Sequence, residues 1–352
     1  MSAELTLPRP AGDPAPAHTP AARPTRLTLV LLGGVLLLAV LAVLSLFVGS
    51  GSISASTVVR ALTGSGTSTD ELLVRDFRVP RMWLALLVGM ALGLSGLVMQ
   101  ALTRNPLADP GLLGVNAGAF FAIAMGTVFF GATATSGQLL WGVLGAAVAA
   151  AVVYVLGTTG FAAGSAGKLV LSGVGVGAVL SGVSRGLTLA NPEAFDRLRF
   201  WSSGSLQGRT MDSVTAVWLP MVLAGVLVLA LARPLNAMAM GEDIARSLGV
   251  HLGRVRLLGF LAVTVLCGAA TSVAGPITFV GLIVPFVARF VVGADYRALI
   301  AVTVVAGPLL MLVADMLARV VVASELPVGV VVAFLGAPVL IALVRRTRMT
   351  GL

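Results

Sequence analysis

Apolar stretches recur along almost the whole of this chain, and each is about as long as the 20 residues that a helix needs to cross a bilayer. Backbone polar groups inside lipid must be satisfied within the segment itself, so such stretches span membranes as α-helices. Only 11% of the residues are charged, against about 25% in soluble domains. The pattern therefore predicts an all-α polytopic membrane protein.

We predict about ten membrane-spanning helices. Their predicted boundaries are 27–48, 81–102, 112–131, 137–157, 168–190, 213–233, 255–274, 276–293, 298–318 and 328–345. An even number of spans places both chain ends on one side, and Arg345, Arg346 and Arg348 favour the cytoplasm under the positive-inside rule. Residues 1–26 are rich in Pro and Ala, which predicts a disordered cytoplasmic tail ahead of a transmembrane domain at 27–352.

Several classes of function are disfavoured by composition. The net charge of +9 would suggest nucleic acid in a soluble protein, but here basic loops and anionic membrane lipids explain it, and we expect no nucleic-acid partner. The single cysteine, Cys267, excludes an internal disulfide, and the distance in sequence between His18 and His251 makes a metal site improbable. No Walker A or HExxH motif is present, so we expect no catalytic residue, no metal and no cofactor bound by this chain.

A polar segment, Pro234–Arg256, lies between two long apolar stretches. Its middle part, Gly241–Gly249, is typical of a short helix, because acidic residues such as Glu242 stand in the first turn and a glycine follows the last turn. Ile244 and Leu248 are spaced i, i+4 and share one face. This helix is either an ordinary interfacial helix or a contact site for a partner in the water.

Two further features mark a possible pathway. The turn Asn105–Pro110 contains two prolines and ends the second span, and irregular backbone at membrane depth is tolerated where it is buried in protein or lines water. It is a candidate constriction on the inner side or a plain turn. The fifth span carries small residues at Gly173, Gly175, Gly177 and Ser181, a face suited to a translocation path or to helix packing.

Charged residues mark the outer side of the predicted domain. Arg78 and Arg81 follow the first span on the outside, against the positive-inside rule, so they either anchor lipid headgroups or contact an external partner. Asp315 and Arg319 are spaced i, i+4 near the end of the ninth span and are predicted to form an ion pair. In the second span, Gly89 and Gly93 form a GxxxG face that predicts the close approach of another helix.

Together these stretches resemble the FecCD-type permeases of ABC importers for iron-siderophores, haem and vitamin B12. The similar stretches are RVPR (78–81), QALTRNPLADPGLLGVNAGA (100–119), GEDIARSLGV (241–250), AGPITFVGLIVP (274–285), ADMLAR (314–319) and ELPVGVVVAFLGAP (325–338). The resemblance extends from about residue 27 to the end of the chain, with several separated motifs in the same order. In detail the chain looks most similar to permeases for catecholate siderophores of the enterobactin type.

The resemblance implies a ten-helix permease subunit of a type II ABC importer in the bacterial cytoplasmic membrane. Its implied partners are an identical or homologous second permease, cytoplasmic ATPase subunits that bind ATP and Mg²⁺, and a substrate-binding lipoprotein or periplasmic protein. The cargo would be a ferric siderophore, with haem or cobalamin as alternatives. An ion-coupled secondary transporter is a less favoured alternative, because it predicts ionisable residues near mid-membrane.

The resemblance also implies roles for particular residues. The implied coupling residues, which would contact the ATPase, are Gly241, Glu242, Ile244, Ala245, Leu248 and Gly249. The implied inner gate consists of Asn105, Pro106 and Leu107, and the implied docking residues for the binding protein are Arg78, Arg81 and Arg319. The family's second gate falls at Gly164–Gly167, where its hydroxyl pattern is not matched. Phe286 and Tyr296 stand where the family often has histidine.

Overall fold

A computed structural model describes residues 24–49, 53–64, 68–132, 135–159, 166–322 and 325–349, and this part of the chain is helical throughout its regular structure. Its α-helices are, in chain order, α1 (Pro24–Ser45), α2 (Ala55–Thr63), α3 (Thr69–Leu73), α4 (Val79–Thr103), α5 (Val115–Phe130), α6 (Thr135–Thr158), α7 (Ala166–Ala190), α8 (Pro192–Trp201), α9 (Met211–Ala230), α10 (Ala232–Ala239), α11 (Glu242–Ser247), α12 (Leu252–Ala274), α13 (Val280–Val292), α14 (Tyr296–Val320) and α15 (Val328–Met349). A π-helical turn joins α3 to α4, and a short 3₁₀ turn precedes α5.

Each of the ten predicted spans coincides with one helix. Within the described residues, seven helices are long and apolar enough to cross a membrane, and α5, α13 and α15 are shorter apolar helices at the three remaining predicted positions. The fold-class prediction is confirmed. Helix α1 begins at Pro24, within the last three residues of the predicted tail, and residues 1–23 lie outside the described residues, so the tail stays a prediction. The second-gate stretch at 164–165 also lies outside them.

One span boundary differs for a clear physical reason. The eighth span was expected from residue 276, but α13 begins at Val280. Gly275 and Phe279 both have positive φ values, +73° and +69°, and the chain between them passes through Pro276 in a non-helical turn. A helix cannot form across such backbone, so α13 is only 13 residues long.

The core of the domain lies around α4 and α12, which are mostly buried, whereas α1 and α7 are mostly exposed. Helix α4 packs against α9, α12, α13 and α14, while α5, α6 and α7 pack against one another at the side of this core. Helix α12 joins the two groups, because it contacts α4, α5 and α6.

Glycines allow the backbones of the core helices to approach closely. A Cβ atom added at Gly89 would overlap the carbonyl oxygen of Gly307, and one added at Gly96 would overlap the carbonyl oxygen of Gly281. The structure thus places α14 against the predicted GxxxG face of α4, and α13 against the same helix at Gly96, about two turns after Gly89. Such contacts are a main source of helix association in lipid, where apolar burial gives little driving force.

The outer segment between α1 and α4 is folded into two short helices. Ser68 caps α3 and forms a capping box with Glu71. The carboxylate of Glu71 also accepts a hydrogen bond of 2.6 Å from Arg60 of α2, so the two helices are tied together. Val58 of α2 is buried against Val74 and Leu46.

Candidate functional site

A groove of about 570 Å³ runs along one face of α7, and we call it the α7 groove. Its residues on α7 extend from Gly173 to Thr188, which corresponds to about 22 Å of helix at 1.5 Å per residue. The remaining lining residues come from the 3₁₀ turn before α5, from α5, from α8 and from the loops beyond it. The full lining is Gly111, Gly114, Asn116, Ala117, Phe120, Gly173, Val174, Gly177, Ser181, Arg185, Thr188, Phe195, Leu198, Arg199, Trp201, Ser202 and Pro276.

Small residues keep this groove open. Gly173, Gly177 and Ser181 are three of the four small residues that the sequence marked on the fifth span, and all three line the groove. The fourth, Gly175, has no atom within 4 Å of an added Cβ, so it lies on an open part of α7. Gly173 and Gly177 also lie close to Gly114 before α5, where an added Cβ would be 3.5 Å from Gly173 O and 3.8 Å from Gly177 N, so this face both lines the groove and packs against the neighbouring turn.

Aromatic side chains form part of the groove wall. Phe120 of α5 stacks on Trp201 at the end of α8, with ring centroids 5.6 Å apart and planes 10° from parallel. Phe195 of α8 lies on the same wall. These rings give the groove a broad apolar surface beside the hydroxyl groups of Ser181 and Thr188.

The inner end of the groove lies beside the gate loop, residues 104–109 between α4 and the 3₁₀ turn. Asn105 shapes this loop, because its side-chain oxygen accepts a hydrogen bond of 2.9 Å from the backbone N–H of Leu107. Asn105 and Pro106 are exposed, and neither they nor Leu107 line the groove. The lining begins at Gly111, so the predicted gate residues lie next to the groove and not in its wall.

Asp109 caps the 3₁₀ turn that starts the groove wall. Its carboxylate accepts a hydrogen bond of 2.8 Å from the backbone N–H of Gly111. Burial raises the pKa of this carboxyl, and the hydrogen bond from Gly111 opposes that increase. The gate loop therefore carries one acidic group in an environment that disfavours its charge.

A polar contact joins the groove wall to the core. Asn116, near the start of α5, accepts a hydrogen bond of 2.7 Å from Thr271 of α12. The thiol of Cys267, one turn before Thr271, lies 3.7 Å from the same oxygen. The sequence analysis did not single out Asn116, although an amide in an apolar span is itself a signal that a polar partner is present.

On the inner side, α10 and α11 form a compact elbow, which we call the coupling arm (232–249). Gly249, with φ +79°, ends α11, and the hydrogen bonds Gly249 N–H to Arg246 O and Val250 N–H to Ala245 O form a Schellman motif. Ala245 is fully buried, whereas the side chains of Ile244 and Leu248 are 45% and 63% exposed. The coupling arm thus packs against the domain through the face that carries Ala245, and the apolar side chains of Ile244 and Leu248 stay exposed.

Glu242, at the start of the coupling arm's second helix, is surrounded by arginines. Its carboxylate lies 2.7 Å from Arg256 of α12, 3.5 Å from Arg246 and 3.7 Å from Arg104. Arg104 follows the end of α4 in a left-handed conformation, and it also donates a hydrogen bond of 3.3 Å to Met238 O of α10. The coupling arm is therefore connected to the gate loop, and local sequence patterns contain no signal for this contact.

A second connection ties the coupling arm to α14. The side chain of Asn236 donates a hydrogen bond of 2.7 Å to Asp295 and accepts one of 2.9 Å from the backbone N–H of Tyr296. Tyr296 is buried at the first turn of α14. The arm thus contacts three spans through polar side chains: α4, α12 and α14.

On the outer side, Arg78, Arg81 and Arg319 surround a small cavity of about 300 Å³ together with Glu325. All three arginines are buried, with exposed fractions of 5%, 9% and 6%. Arg81 lies 2.8 Å from Asp315 and 2.7 Å from Glu325, and Arg319 contacts Asp315, the neighbour that its i, i+4 spacing predicts. We call the three arginines Arg78, Arg81 and Arg319 the outer arginine cluster.

The outer arginine cluster also holds the end of α1. Arg78 donates a hydrogen bond of 2.9 Å to Leu46 O, and Arg319 donates to Ser45 O at 2.9 Å and to Val48 O at 3.1 Å. Carbonyl groups at the end of a helix lack partners within the helix, and cations are favoured there. In the single chain these arginines therefore have an internal structural role, beside any role toward a partner.

The sequence analysis missed one charged residue of the groove. Arg185 lies within the fifth predicted span and lines the groove, and Arg199 of α8 lines it as well. Neither Asp nor Glu occurs among the described lining residues. A charged residue inside an apolar span was the signal that could have identified Arg185.

Comparison with known proteins assigns the chain to a family. The FecCD transport family model matches residues 37–346. The ferric enterobactin transport system permease protein FepD of Escherichia coli (strain K12) is 49% identical over 319 residues, 91% of this chain and 96% of that protein. The probable siderophore transport system permease protein YfiZ of Bacillus subtilis (strain 168) is 38% identical over 321 residues, again 91% and 96%.

A solved structure has the same fold. It is a metal-chelate-type ABC transporter in an inward-facing conformation, and it matches with a TM-score of 0.79 and 30% identity over 91% of this chain and 99% of its own. The family match covers most of the chain, and both relatives are permease proteins of nearly the same length. The chain therefore belongs to the FecCD transport family.

Proposed function

We propose that this chain is a permease subunit of an ATP-driven importer that carries ferric siderophores across the bacterial cytoplasmic membrane. The observation that carries the proposal is the α7 groove, which follows a membrane-spanning helix for about 22 Å and begins beside the gate loop. A chelate moving along the groove would pass from the outer helix α8 toward Asn105, Pro106 and Leu107. The exposed faces of α7 leave room for an identical or homologous second permease to complete the path.

The energy would enter through the coupling arm. Ile244 and Leu248 are exposed apolar side chains on a short helix that is anchored by Ala245, which suits docking into a groove of a cytoplasmic ATPase subunit. ATP and Mg²⁺ would bind to that partner, since the sequence has no phosphate-binding loop of its own. Closure of the ATPase subunits would move the arm, and the contacts of Glu242 and Asn236 would pass the movement to the spans.

The outer arginine cluster is the proposed docking site for a substrate-binding lipoprotein or periplasmic protein. The described lining of the outer cavity contains three arginines, Arg78, Arg81 and Arg319, and one carboxylate, that of Glu325, so positive groups outnumber negative groups in this lining. A carboxylate on the partner would be attracted to this excess charge. Because these arginines are buried and also stabilise the fold, a carboxylate of the binding protein would have to contact them through the outer cavity.

The favoured cargo is a catecholate siderophore of the enterobactin type. This part of the proposal rests on resemblance to FepD, whose name specifies ferric enterobactin. Haem and cobalamin are the alternatives within the same importer class. An ion-coupled transporter is less well supported, because Asp315 lies near the outer end of α14 and contacts two arginines, which leaves it poorly suited to bind a coupling ion.

Uptake measurements test the proposal directly. In a strain that lacks this permease, the wild-type chain should restore uptake of radiolabelled iron from ferric enterobactin, measured beside haem, cobalamin and a ferric tris-hydroxamate. Purified permease in vesicles should move no chelate under a proton or sodium gradient alone. Transport by the isolated permease under such a gradient would contradict the proposal, and uptake of haem or cobalamin instead would change the cargo.

A further inference from the structure

Arg185 is a cation inside a membrane-spanning helix, and the described part of the chain places no carboxylate partner beside it. It lies on α7, five residues before the helix ends at Ala190, and it is exposed in the single chain. Among the described residues, no Asp or Glu side chain lies within ion-pair distance of it. A guanidinium within a span is unfavourable unless it faces water or an anion, so an ionisable residue in this position is a candidate functional site.

Its position directs Arg185 toward the α7 groove. It occupies the same helix face as Gly177, Ser181 and Thr188, all of which line the groove at intervals of three or four residues. Arg199 of α8 lines the same groove, and its partner Asp196, 3.7 Å away, is not part of the lining. The described lining of the groove therefore contains two cations, of which Arg199 is paired with Asp196, and no anion.

The groove combines these cations with aromatic rings. The stacked pair Phe120 and Trp201, together with Phe195, supplies flat apolar surface in the same groove lining as Arg185 and Arg199. Guanidinium groups bind anionic oxygen atoms through charge-assisted hydrogen bonds and also stack on aromatic faces. Such a wall suits a ligand that is both anionic and aromatic.

A ferric tris-catecholate has both properties. Its six phenolate oxygens outweigh the charge of one Fe³⁺, so the complex is anionic, and its ligand groups are aromatic rings. A ferric tris-hydroxamate, in contrast, is neutral because three singly charged ligands balance the metal. The chemistry of the groove therefore discriminates between these two classes of chelate.

We propose that Arg185 and Arg199 form a contact site in the α7 groove for an anionic, aromatic iron chelate. This inference rests on the proposed function and names the substrate class that its path selects. The arginines act during passage, after the binding protein has delivered the chelate. Their loss should therefore lower the maximal rate of uptake and leave the half-saturating chelate concentration, which capture by the binding protein determines, nearly unchanged.

The test uses the complete importer in cells that lack the native permease. Uptake of radiolabelled iron from ferric enterobactin is measured against concentration for wild type, Arg185→Gln and Arg185→Lys, with membrane abundance determined by immunoblot. Arg185→Gln should lower the maximal rate at least about tenfold, as expected when a charge-assisted hydrogen bond is lost. Arg185→Lys should retain most of the rate, because it keeps the positive charge.

Lys168→Gln is the matched control. Lys168 stands on the same helix, is partly buried and does not line the groove, so the loss of its charge should leave uptake unchanged. Wild-type uptake by Arg185→Gln, or an equal loss in Arg185→Lys and Arg185→Gln, would overturn the inference. So would a fall in membrane abundance that fully accounts for the lost rate, since Arg185 would then act in folding or membrane insertion and not in passage of the chelate.

The outcome for wild type separates this inference from the proposed function. If wild type restores uptake of a neutral ferric tris-hydroxamate and not of the catecholate, the contact site is refuted while the importer remains. If wild type restores uptake of no ferric chelate, the proposed function fails and the contact site fails with it.

Discussion

The carboxylate of Glu242, in the coupling arm, lies 3.7 Å from the guanidinium of Arg104, the residue that joins α4 to the gate loop. Both side chains are partly exposed, so this ion pair contributes little to the stability of the fold, about 1 kcal/mol or less. Its importance lies in its position, because it connects the proposed contact with the ATPase to the proposed inner gate. The stronger contact of Glu242 with Arg256 fixes the carboxylate where Arg104 can reach it.

Glu242→Gln should therefore lower the amount of chelate transported per ATP hydrolysed, by about twofold to fivefold, which corresponds to the loss of up to about 1 kcal/mol of coupling. The measurement is transport and ATP hydrolysis by the complete importer in the same proteoliposomes. Arg104→Gln should act in the same direction, and the double variant should be no worse than Glu242→Gln alone.

Asp243→Asn serves as the control for this pair, because Asp243 is the next residue of α11 and its side chain is almost fully exposed. It should leave the transport ratio unchanged. Additive effects of Glu242→Gln and Arg104→Gln would show that the two residues act separately, and normal transport in both would remove the link from the mechanism.

Arg81→Met should destabilise the protein by about 3–5 kcal/mol, because it leaves the buried carboxylate of Asp315 without one of its cations and also unpairs Glu325. Thermal unfolding in detergent would measure the loss. Arg75→Met is the matched variant: Arg75 belongs to the same outer segment but forms an exposed pair with Asp76, so its removal should change stability by less than about 0.5 kcal/mol.

The comparison of Arg81→Met with Arg75→Met also determines how docking of the binding protein can be tested. Loss of binding-protein docking in a charge-reversal variant of Arg78 or Arg81 is informative only in protein that remains folded and still binds the ATPase. If Arg81→Met were as stable as Arg75→Met, the outer arginine cluster would have no structural role and would be available for docking alone.

Gly307→Ala should destabilise the contact between α4 and α14, because the added methyl group would overlap the backbone of Gly89. Forcing an extra methyl into a packed interface costs about 1–3 kcal/mol. Gly33→Ala on α1 is the control, since no atom lies within 4 Å of its added Cβ and alanine favours the helix by about 1 kcal/mol. Equal unfolding temperatures for the two variants would contradict the close helix approach.

Asp109→Asn should stabilise the protein at neutral pH and lose this advantage as the pH is lowered. Burial raises the pKa of Asp109 in the folded chain, so folding favours the protonated form. The stability that this preference contributes is complete below the ordinary pKa of Asp and is lost as the pH rises through the folded value. Unfolding temperatures of both proteins across this range provide the test, and a pH-independent difference would refute it.

Much of the fold could be predicted from the sequence, because the length and apolarity of a span are local properties. All ten predicted spans coincide with helices, and the ends of α11 at Gly241 and Gly249 follow from glycine conformations that the sequence signals. Helices α8 and α10 were not predicted. They are short, and their apolar residues become buried only through contacts with neighbouring helices.

The site was less predictable, since its contacts join distant parts of the chain. Asn116 and Thr271 are 155 residues apart in sequence, and Arg104 and Met238 are 134 apart. No local periodicity encodes such pairs. The gate loop and the coupling helix could be located from their own residues, but the groove wall of α5, α7 and α8 required the structure.

The hydrogen bonds from Arg319 to the carbonyl groups at the end of α1 have a consequence for biosynthesis. Ser45 and Arg319 are 274 positions apart, so at about 5–20 residues per second roughly 14 to 55 s pass before Arg319 is synthesised, and until then Arg78 is the only arginine of the cluster that can bind the end of α1. During that interval α1 has almost no protein surface to cover it. A nascent chain arrested before α14 would therefore carry an amino-terminal helix that lacks both the contacts of Arg319 and its packing surface on α14.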